Sequence, residues 1–141
     1  MSENYKDLAR AMIKQHEGLI LSPYRCTAEK LTIGYGRNLD ANGITVDTAN
    51  QMLNEDIATA EFDAKKFIGA RVFAGLSDGR KAVLIDMAFN LGYSRLSAFK
   101  NLRATLIDGN YSAAADEMTH SRWYSQVGNR AVDLVQMMEA G

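Results

Sequence analysis

The chain has 141 residues, of which 47% are hydrophobic and 23% are charged, and its net charge is −1. This length is sufficient for one domain that buries a core without the help of disulfides or metals. The balanced charge excludes the basic surface of a general nucleic-acid-binding protein, so we expect no nucleic-acid partner.

Three further features of the sequence narrow the class of protein. Cys26 is the single cysteine, which excludes an intrachain disulfide. Residues 1–15 are polar and charged and lack the apolar run of a secretory signal. No stretch approaches the ~18 apolar residues of a membrane span. We therefore expect neither a signal peptide nor membrane insertion.

The first predicted element is an amphipathic helix over Tyr5–His16, where apolar side chains recur at helical spacing. Ser2 is the candidate N-cap of this helix, and Gly18 is the residue that we expect to end it. Glu17 then lies in the last turn.

A β region follows the first helix. Two β-prone runs, Tyr24–Cys26 and Leu31–Gly36, flank a polar turn at Thr27–Lys30, and this pattern predicts a hairpin. Within the second run, Gly34 and Gly36 indicate that another group closely approaches the backbone. We expect no β structure elsewhere.

The remaining chain predicts helices. After a turn at Asp40–Gly43, Thr45 is the candidate N-cap of a long helix over Val46–Lys66. After a glycine-rich loop, Ala82–Leu91 is apolar nearly all round and predicts a central buried helix that Gly92 closes. Shorter helices are predicted over Ser97–Ile107, Ala113–Met118 and Asn129–Met138.

These elements predict a predominantly helical α+β fold, with a small β-hairpin lobe and a larger helical lobe joined by a long helix. We place the small lobe at about 14–45, the linking helix at about 46–66, and the helical lobe at about 67–141 together with the N-terminal helix. A cleft between two lobes is a common binding place for an extended ligand, and we expect one here.

Glu17, Cys26 and Thr32 are the candidate catalytic residues. Apolar residues follow Glu17, and a carboxyl held against apolar surface has the raised pKa that a general acid needs. Cys26 and Thr32 fall on the two arms of the predicted hairpin, where a sulfur and a hydroxyl can position a water. Residue types alone make this a weak pattern, because a lone glutamate is usually solvated and a strand cysteine is usually buried.

Three blocks with defined spacing strengthen the pattern. Eight residues separate Glu17 from Cys26, and five separate Cys26 from Thr32. The other two blocks are Met87–Gly92 and the run from Ser121 to Ala131. In this order they resemble the phage lysozyme family, whose catalytic pattern is Glu, eight residues, Asp or Cys, five residues, Thr. This is the glycoside hydrolase family of the T-even phage enzymes and of many tailed-phage endolysins.

The resemblance implies that Glu17 donates a proton to the glycosidic oxygen while a water attacks from the opposite face, with inversion. A thiol near its ordinary pKa is mostly protonated at neutral pH, and Glu17 as a neighbouring anion would raise that pKa. We therefore expect Cys26 to orient the water together with Thr32. Alternatives are that Cys26 is a base, weakly stabilises positive charge, is a slow nucleophile, or only fills space beside Thr32.

The resemblance assigns further roles. Arg130 matches the arginine that pairs with the catalytic glutamate of the family. Trp123 is expected in the core, with its indole N–H bonded to Asn90. For Phe89, core packing is an alternative to stacking on a sugar. The substrate-binding candidates are Phe89, Asn90, Glu117 and Gln126. No group of His, Cys or carboxylates has the spacing of metal ligands, so no metal or cofactor is expected.

The implied activity is that of a muramidase, which hydrolyses the β-1,4 bond between N-acetylmuramic acid and N-acetylglucosamine in bacterial peptidoglycan. The resemblance also implies an endolysin, which we expect to be a monomer held in the host cytoplasm until a holin releases it to the cell wall. Two alternatives remain open. One is a lytic transglycosylase in which Glu17 is both acid and base, and the other is a non-catalytic peptidoglycan-binding module of a phage tail.

Overall fold

The computed structural model describes residues 4–141. Its contacts divide the chain into two compact units, the first ending at Asn50 and the second covering Gln51–Gly141. Most elements are helices, and a three-stranded antiparallel sheet lies in the first unit. The predicted, predominantly helical α+β class is therefore confirmed. Across residues 4–141, no helix has both the length and the apolar character needed to cross a membrane.

Helix α1 covers Tyr5–Glu17 and ends where the sequence predicts. The side-chain oxygen of Asn4 caps it by accepting two backbone N–H hydrogen bonds, at 2.9 and 3.0 Å. The predicted cap, Ser2, lies outside the described residues. Gly18 closes the helix at a φ of 71°, which glycine adopts without strain. Glu17 is therefore the final helical residue.

The sheet has the strand order β1–β2–β3, with β1 over Ile20–Arg25, β2 over Leu31–Gly34 and β3 over Arg37–Asn38. The predicted hairpin is confirmed as the pair of β1 and β2. Strand β1 begins before Tyr24, however, and β3 was not predicted. Pro23 is accommodated because β1 is an edge strand whose register with β2 is irregular near this residue.

Two helices follow the sheet. Helix α2 is a single turn over Leu39–Asn42, in the stretch predicted to be a turn, and α3 covers Val46–Ile68. The predicted cap of α3 is confirmed, since the hydroxyl of Thr45 accepts a hydrogen bond from the amide of Thr48 at 3.1 Å. Helix α3 crosses the division between the two units, and α1 falls in the first unit. The predicted lobe boundaries, and the grouping of α1 with the helical lobe, stay predictions.

The second unit is helical throughout. After α3, its helices are α4 over Ala70–Ala74, α5 over Asp78–Leu96, α6 over Lys100–Ile107, α7 over Tyr111–Thr119, α8 over Arg122–Val127 and α9 over Asn129–Ala140. The sequence pattern predicts neither α4 nor α8, and α6 begins at Lys100 and not at the predicted Ser97. Helices of one or two turns are too short to show a clear apolar period.

Helix α5 carries much of the core of the second unit, as predicted for the central helix. Leu84 and Met87 are fully buried, and burial of such a side chain contributes about 1.5–3 kcal/mol. The helical conformation breaks at Gly92, with a φ of 76°, where the sequence predicts an end. Helices α5 and α7 both pack against α9. Trp123 is buried with its ring edge-on to Phe99, at 6.2 Å between centroids.

Candidate active site

The carboxyl of Glu17 lies beside the turn that joins β2 to β3. An ideal Cβ atom built on Gly36 of that turn would be 2.6 Å from Oε2 of Glu17 and 2.9 Å from its Cδ. At Gly34, by contrast, a Cβ would meet nothing within 4 Å. The close approach predicted from the two glycines is therefore confirmed at Gly36, and the approaching group is the candidate acid.

The environment of Glu17 differs from the expected one. Its side chain is exposed, and so are the apolar residues Leu19–Leu21 that were expected to bury it. The expectation that the Glu17 carboxyl is buried against apolar surface is therefore wrong. The reason is that these apolar residues lead into and begin strand β1, whose side chains are largely on the surface.

The turn after β1 brings Cys26 and Thr32 together. Cys26 is half-buried, whereas Thr32 is only 4% exposed. The hydroxyl of Thr32 lies within hydrogen-bond reach of the sulfur, and it also donates to the carbonyl of Lys30 at 2.8 Å. A hydroxyl has one hydrogen, so Thr32 cannot donate to both acceptors at once. Donation to the sulfur would therefore require the hydroxyl to release the carbonyl of Lys30.

Hydrogen bonds lower the pKa of the Cys26 thiol. The largest effect comes from the backbone N–H of Lys30, followed by that of Ala28 and the hydroxyl of Thr32, while burial opposes them. We expected the neighbouring charge of Glu17 to raise this pKa, and that expectation is wrong because donors in the turn converge on the sulfur. Cys26 therefore forms a thiolate more readily than an ordinary cysteine.

Asp40 anchors this turn, although the sequence analysis treated it only as part of a turn signal. Its Oδ2 accepts a hydrogen bond from the amide of Leu31 at 2.7 Å and lies 3.9 Å from Nη1 of Arg25. Leu31 directly follows Lys30, whose N–H reaches the sulfur of Cys26. Asp40 thus helps to fix the donor that lowers the thiol pKa. No local signal marks this role, because the amide whose hydrogen bond Asp40 accepts lies nine residues earlier in the chain.

Three predicted residues lie together in the second unit. The indole Nε1 of Trp123 donates to Oδ1 of Asn90 at 2.9 Å, so the predicted bond is confirmed. Phe89 precedes Asn90 on α5 and is 47% exposed, so core packing does not describe it. Its ring borders a mostly apolar cavity of about 370 Å³, also lined by Leu53, Ile57, Ala82, Ile85, Asp86 and Arg130.

Arg130 of α9 pairs with Asp86 of α5, with Nε and Oδ1 2.7 Å apart. The two side chains are 41% and 37% exposed, so the pair contributes at most about 1 kcal/mol. The sequence analysis missed Asp86, for which the signal was an acidic residue inside the most apolar segment. The pairing of Arg130 with Glu17 stays a prediction.

The two remaining substrate-binding candidates do not join this group. Glu117 is half-buried and lines a cavity of about 300 Å³ that includes neither Phe89 nor Asn90. Gln126 is exposed on α8. Their roles stay predictions.

The first unit thus carries a glutamate at a helix end and a thiol and a hydroxyl on the adjoining hairpin. Residues 14–139 match the phage lysozyme family model. The chain therefore belongs to the phage lysozyme family and is a lysozyme-type glycoside hydrolase, which degrades peptidoglycan.

Three relatives illustrate this similarity. An endolysin of Acyrthosiphon pisum secondary endosymbiont phage 1 is 29% identical over 109 residues, which cover 75% of this chain and 71% of the relative. Probable T4-type lysozyme 2 of Dictyostelium discoideum is 27% identical over 158 aligned positions, covering 92% of both chains. The pre-baseplate central spike protein Gp5 of Enterobacteria phage T4 is 24% identical across 92% of this chain, which corresponds to 27% of the spike protein.

Proposed function

We propose that the enzyme hydrolyses the β-1,4 bond between N-acetylmuramic acid and N-acetylglucosamine, with Glu17 as the general acid and the attacking water positioned by Cys26 and Thr32. One observation carries the proposal, namely that these three side chains are arranged around strand β2 of one unit. The pair of Cys26 and Thr32 lies at the start of the strand. The carboxyl of Glu17 lies at the turn beyond its end.

The proposed mechanism requires room for a water between the acid and the sulfur. The carboxyl of Glu17 lies beside Gly36. Gly36 follows Thr32 by four residues, so the Cα atoms of Gly36 and Thr32 are at most about 13 Å apart. Inverting glycosidases keep their acid and base roughly 6.5–9.5 Å apart, because the water must reach the far face of the sugar. A carboxyl-to-sulfur separation of about 6.5–9.5 Å is therefore what inversion by these groups requires.

The chemical steps follow from these positions. Glu17 transfers its proton to the glycosidic oxygen as the bond between that oxygen and the anomeric carbon breaks. The water attacks the anomeric carbon from the opposite face and gives a proton to the Cys26 thiolate, whose formation is favoured by the lowered pKa. The hydroxyl of Thr32 holds the water. Solvent then returns a proton to the exposed Glu17 and removes one from Cys26.

The acid role is tested with Glu17→Gln, which keeps the shape of the side chain but holds no transferable proton. We expect release of muropeptides from purified Gram-negative sacculi to fall by about 10²–10⁴-fold. Glu29→Gln is the matched control, because Glu29 is also an exposed glutamate of the first unit. Equal release of muropeptides by wild type and Glu17→Gln would contradict the proposal that Glu17 is the general acid.

The sulfur is tested separately. Cys26→Asp, which supplies a carboxylate at the base position, is expected to keep activity, and Cys26→Ala is expected to lose much of it. Full activity of Cys26→Ala would remove the sulfur from the mechanism. Mass spectrometry of the products also tests the reaction type, because anhydro-muramic ends would show a lytic transglycosylase instead of a hydrolase.

The biological setting that we propose is host lysis, in which the enzyme stays in the host cytoplasm until a holin releases it. The similarity to an endolysin supports this setting. The partial similarity to a central spike protein supports a tail-associated module as the alternative. In cells that express the chain alone, turbidity should fall only after a holin or chloroform opens the membrane. Lysis without either would contradict the proposal.

A further inference from the structure

We propose that Gly36 is a positioning residue for the catalytic carboxyl, because its lack of a side chain sets where the carboxyl of Glu17 lies. The inference rests on the proposed function, in which Glu17 is the acid. A Cβ on Gly36 would be 2.6 Å from Oε2, 2.9 Å from Cδ and 3.4 Å from Cγ of Glu17. Two of these separations are shorter than 3.0 Å, and real Cβ atoms essentially never approach another heavy atom so closely.

The three atoms nearest to such a Cβ all belong to the outer part of one flexible side chain, that of Glu17. Glu17 would relieve the contact by rotating away, since its carboxyl is exposed and free to move towards solvent. Restoring an ordinary contact of 3.4 Å requires Oε2 to move by at least about 0.8 Å. The fold would therefore survive the substitution, but the carboxyl would leave its position. A displacement of about 1 Å at a reacting group lowers the rate by about 10²-fold.

The space that a Gly36 side chain would fill lies against the carboxyl of Glu17. Among the hydrogen bonds of this unit, as far as the structure describes it, none involves the carboxyl of Glu17. No described hydrogen bond of this unit therefore holds the carboxyl in place, and the missing side chain of Gly36 leaves the space in which the carboxyl lies.

Gly34 provides a matched control for this idea. Its φ of 72° is nearly equal to the 73° of Gly36, so alanine introduces similar backbone strain at both positions. A Cβ at Gly34 meets nothing within 4 Å, whereas a Cβ at Gly36 meets the acid. The two substitutions therefore share the strain and differ in their effect on the carboxyl.

The experiment compares wild type, Gly36→Ala, Gly34→Ala and Glu17→Gln in kcat and KM on soluble peptidoglycan fragments, and in melting temperature. We expect both alanine variants to lose similar thermal stability. Only Gly36→Ala should lose kcat, by about 10²-fold with KM unchanged. An independent readout is the ¹³C signal of the Glu17 carboxyl, which should shift in Gly36→Ala and stay in place in Gly34→Ala.

The outcomes separate the inference from the proposed function. A Glu17→Gln variant that stays active overturns the proposed function. An inactive Glu17→Gln together with equal kcat values for the two alanine variants overturns the role of Gly36 alone. If Gly36→Ala does not fold, Gly36→Asn replaces it, because asparagine tolerates positive φ but still carries a Cβ. Loss of folding in Gly36→Asn as well would also overturn the inference, since the cost would then lie in the fold.

Discussion

The indole N–H of Trp123 donates a 2.9 Å hydrogen bond to the side-chain oxygen of Asn90, and this bond ties α8 to the central helix α5. The indole is 3% exposed, whereas Asn90 lies on the surface of α5. A buried donor that loses its acceptor costs about 1–3 kcal/mol. Asn90 therefore holds Trp123 in its orientation within the core.

We predict that Asn90→Ala lowers the free energy of unfolding by about 1–2 kcal/mol, because it removes the acceptor of a buried N–H. The measurement is urea unfolding in a double-mutant cycle with Trp123→Phe, which removes the donor. In the Trp123→Phe background, Asn90→Ala should cost almost nothing, and the gain in helix propensity from alanine is the same in both backgrounds. An equal cost in the two backgrounds would show that the hydrogen bond contributes little.

Arg80 joins the start of α5 to the end of α9. Its Nε and Nη2 donate to the carbonyls of Met138 and Glu139 at 2.7 and 2.9 Å, and its guanidinium lies 3.8 Å from the ring centre of Tyr111. The last carbonyls of a helix lack donors within the helix, so the arginine satisfies two of them.

For Arg80→Ala we expect a loss of about 2–3 kcal/mol in the free energy of unfolding, from two charge-assisted hydrogen bonds and a cation–π contact. Arg80→Lys should recover only part of the loss, because an ammonium cannot present the planar fork. Urea unfolding measures both, with the exposed Arg71→Ala as control. A loss no greater than that of Arg71→Ala would refute the structural role of Arg80.

The lowered pKa of Cys26 predicts a specific dependence of stability on pH. The ordinary pKa of the thiol is 9.0, and its pKa in the folded state is lower. The folded state therefore binds fewer protons than the unfolded state between these two values, so stability increases with pH in that window. The contribution is complete above about pH 9 and is lost as pH falls through the folded pKa.

The test compares wild type with Cys26→Ser, which does not titrate there, by urea unfolding from pH 7 to pH 10 in reductant. The stability difference in favour of wild type should grow towards pH 9 and then level off. Thr32→Val should reduce this growth without abolishing it, since the N–H of Lys30 has the larger effect on the thiol pKa. A difference that stays constant with pH would mean that the folded thiol has an ordinary pKa.

Asp40 should control the opening of the turn that holds Cys26. Replacing it with alanine removes the acceptor of the Leu31 amide, which lies at 2.7 Å. We expect amide hydrogen exchange at Leu31 to become about tenfold faster, equivalent to about 1.4 kcal/mol of local stability. Asp40→Asn keeps a neutral acceptor and should fall between wild type and alanine. Unchanged exchange in Asp40→Ala would mean that other contacts close the turn.

Several features were predictable because a local signal marks them. A glycine directly after Glu17 indicates the end of α1, and two β-prone runs around a polar turn indicate the hairpin. The glycines of β2 and its turn indicated a close contact, although only the structure shows that Gly36 makes it. The bond between Trp123 and Asn90 was predicted from family resemblance, because the local residue pattern does not indicate which distant residues are in contact.

Other features depend on contacts that residue types do not encode. Arg130 and Asp86 are 44 residues apart, so their pairing follows from how α9 packs against α5. The lowered pKa of Cys26 arises from the direction of backbone N–H groups in a turn, and any residue type supplies such groups. The exposure of Glu17 depends on the course of the residues that follow it. The run of apolar residues there indicated a buried carboxyl, but these residues form an edge strand that does not cover it.

The single cysteine has a practical consequence for experiments on this enzyme. Because Cys26 is the chain's one thiol and is half-buried beside Thr32, a thiol reagent attaches at one known atom of every molecule. A fluorescent or spin label can therefore be placed beside Thr32 without first removing other cysteines. Titration of that sulfur likewise gives a direct count of the molecules in which it is chemically reduced.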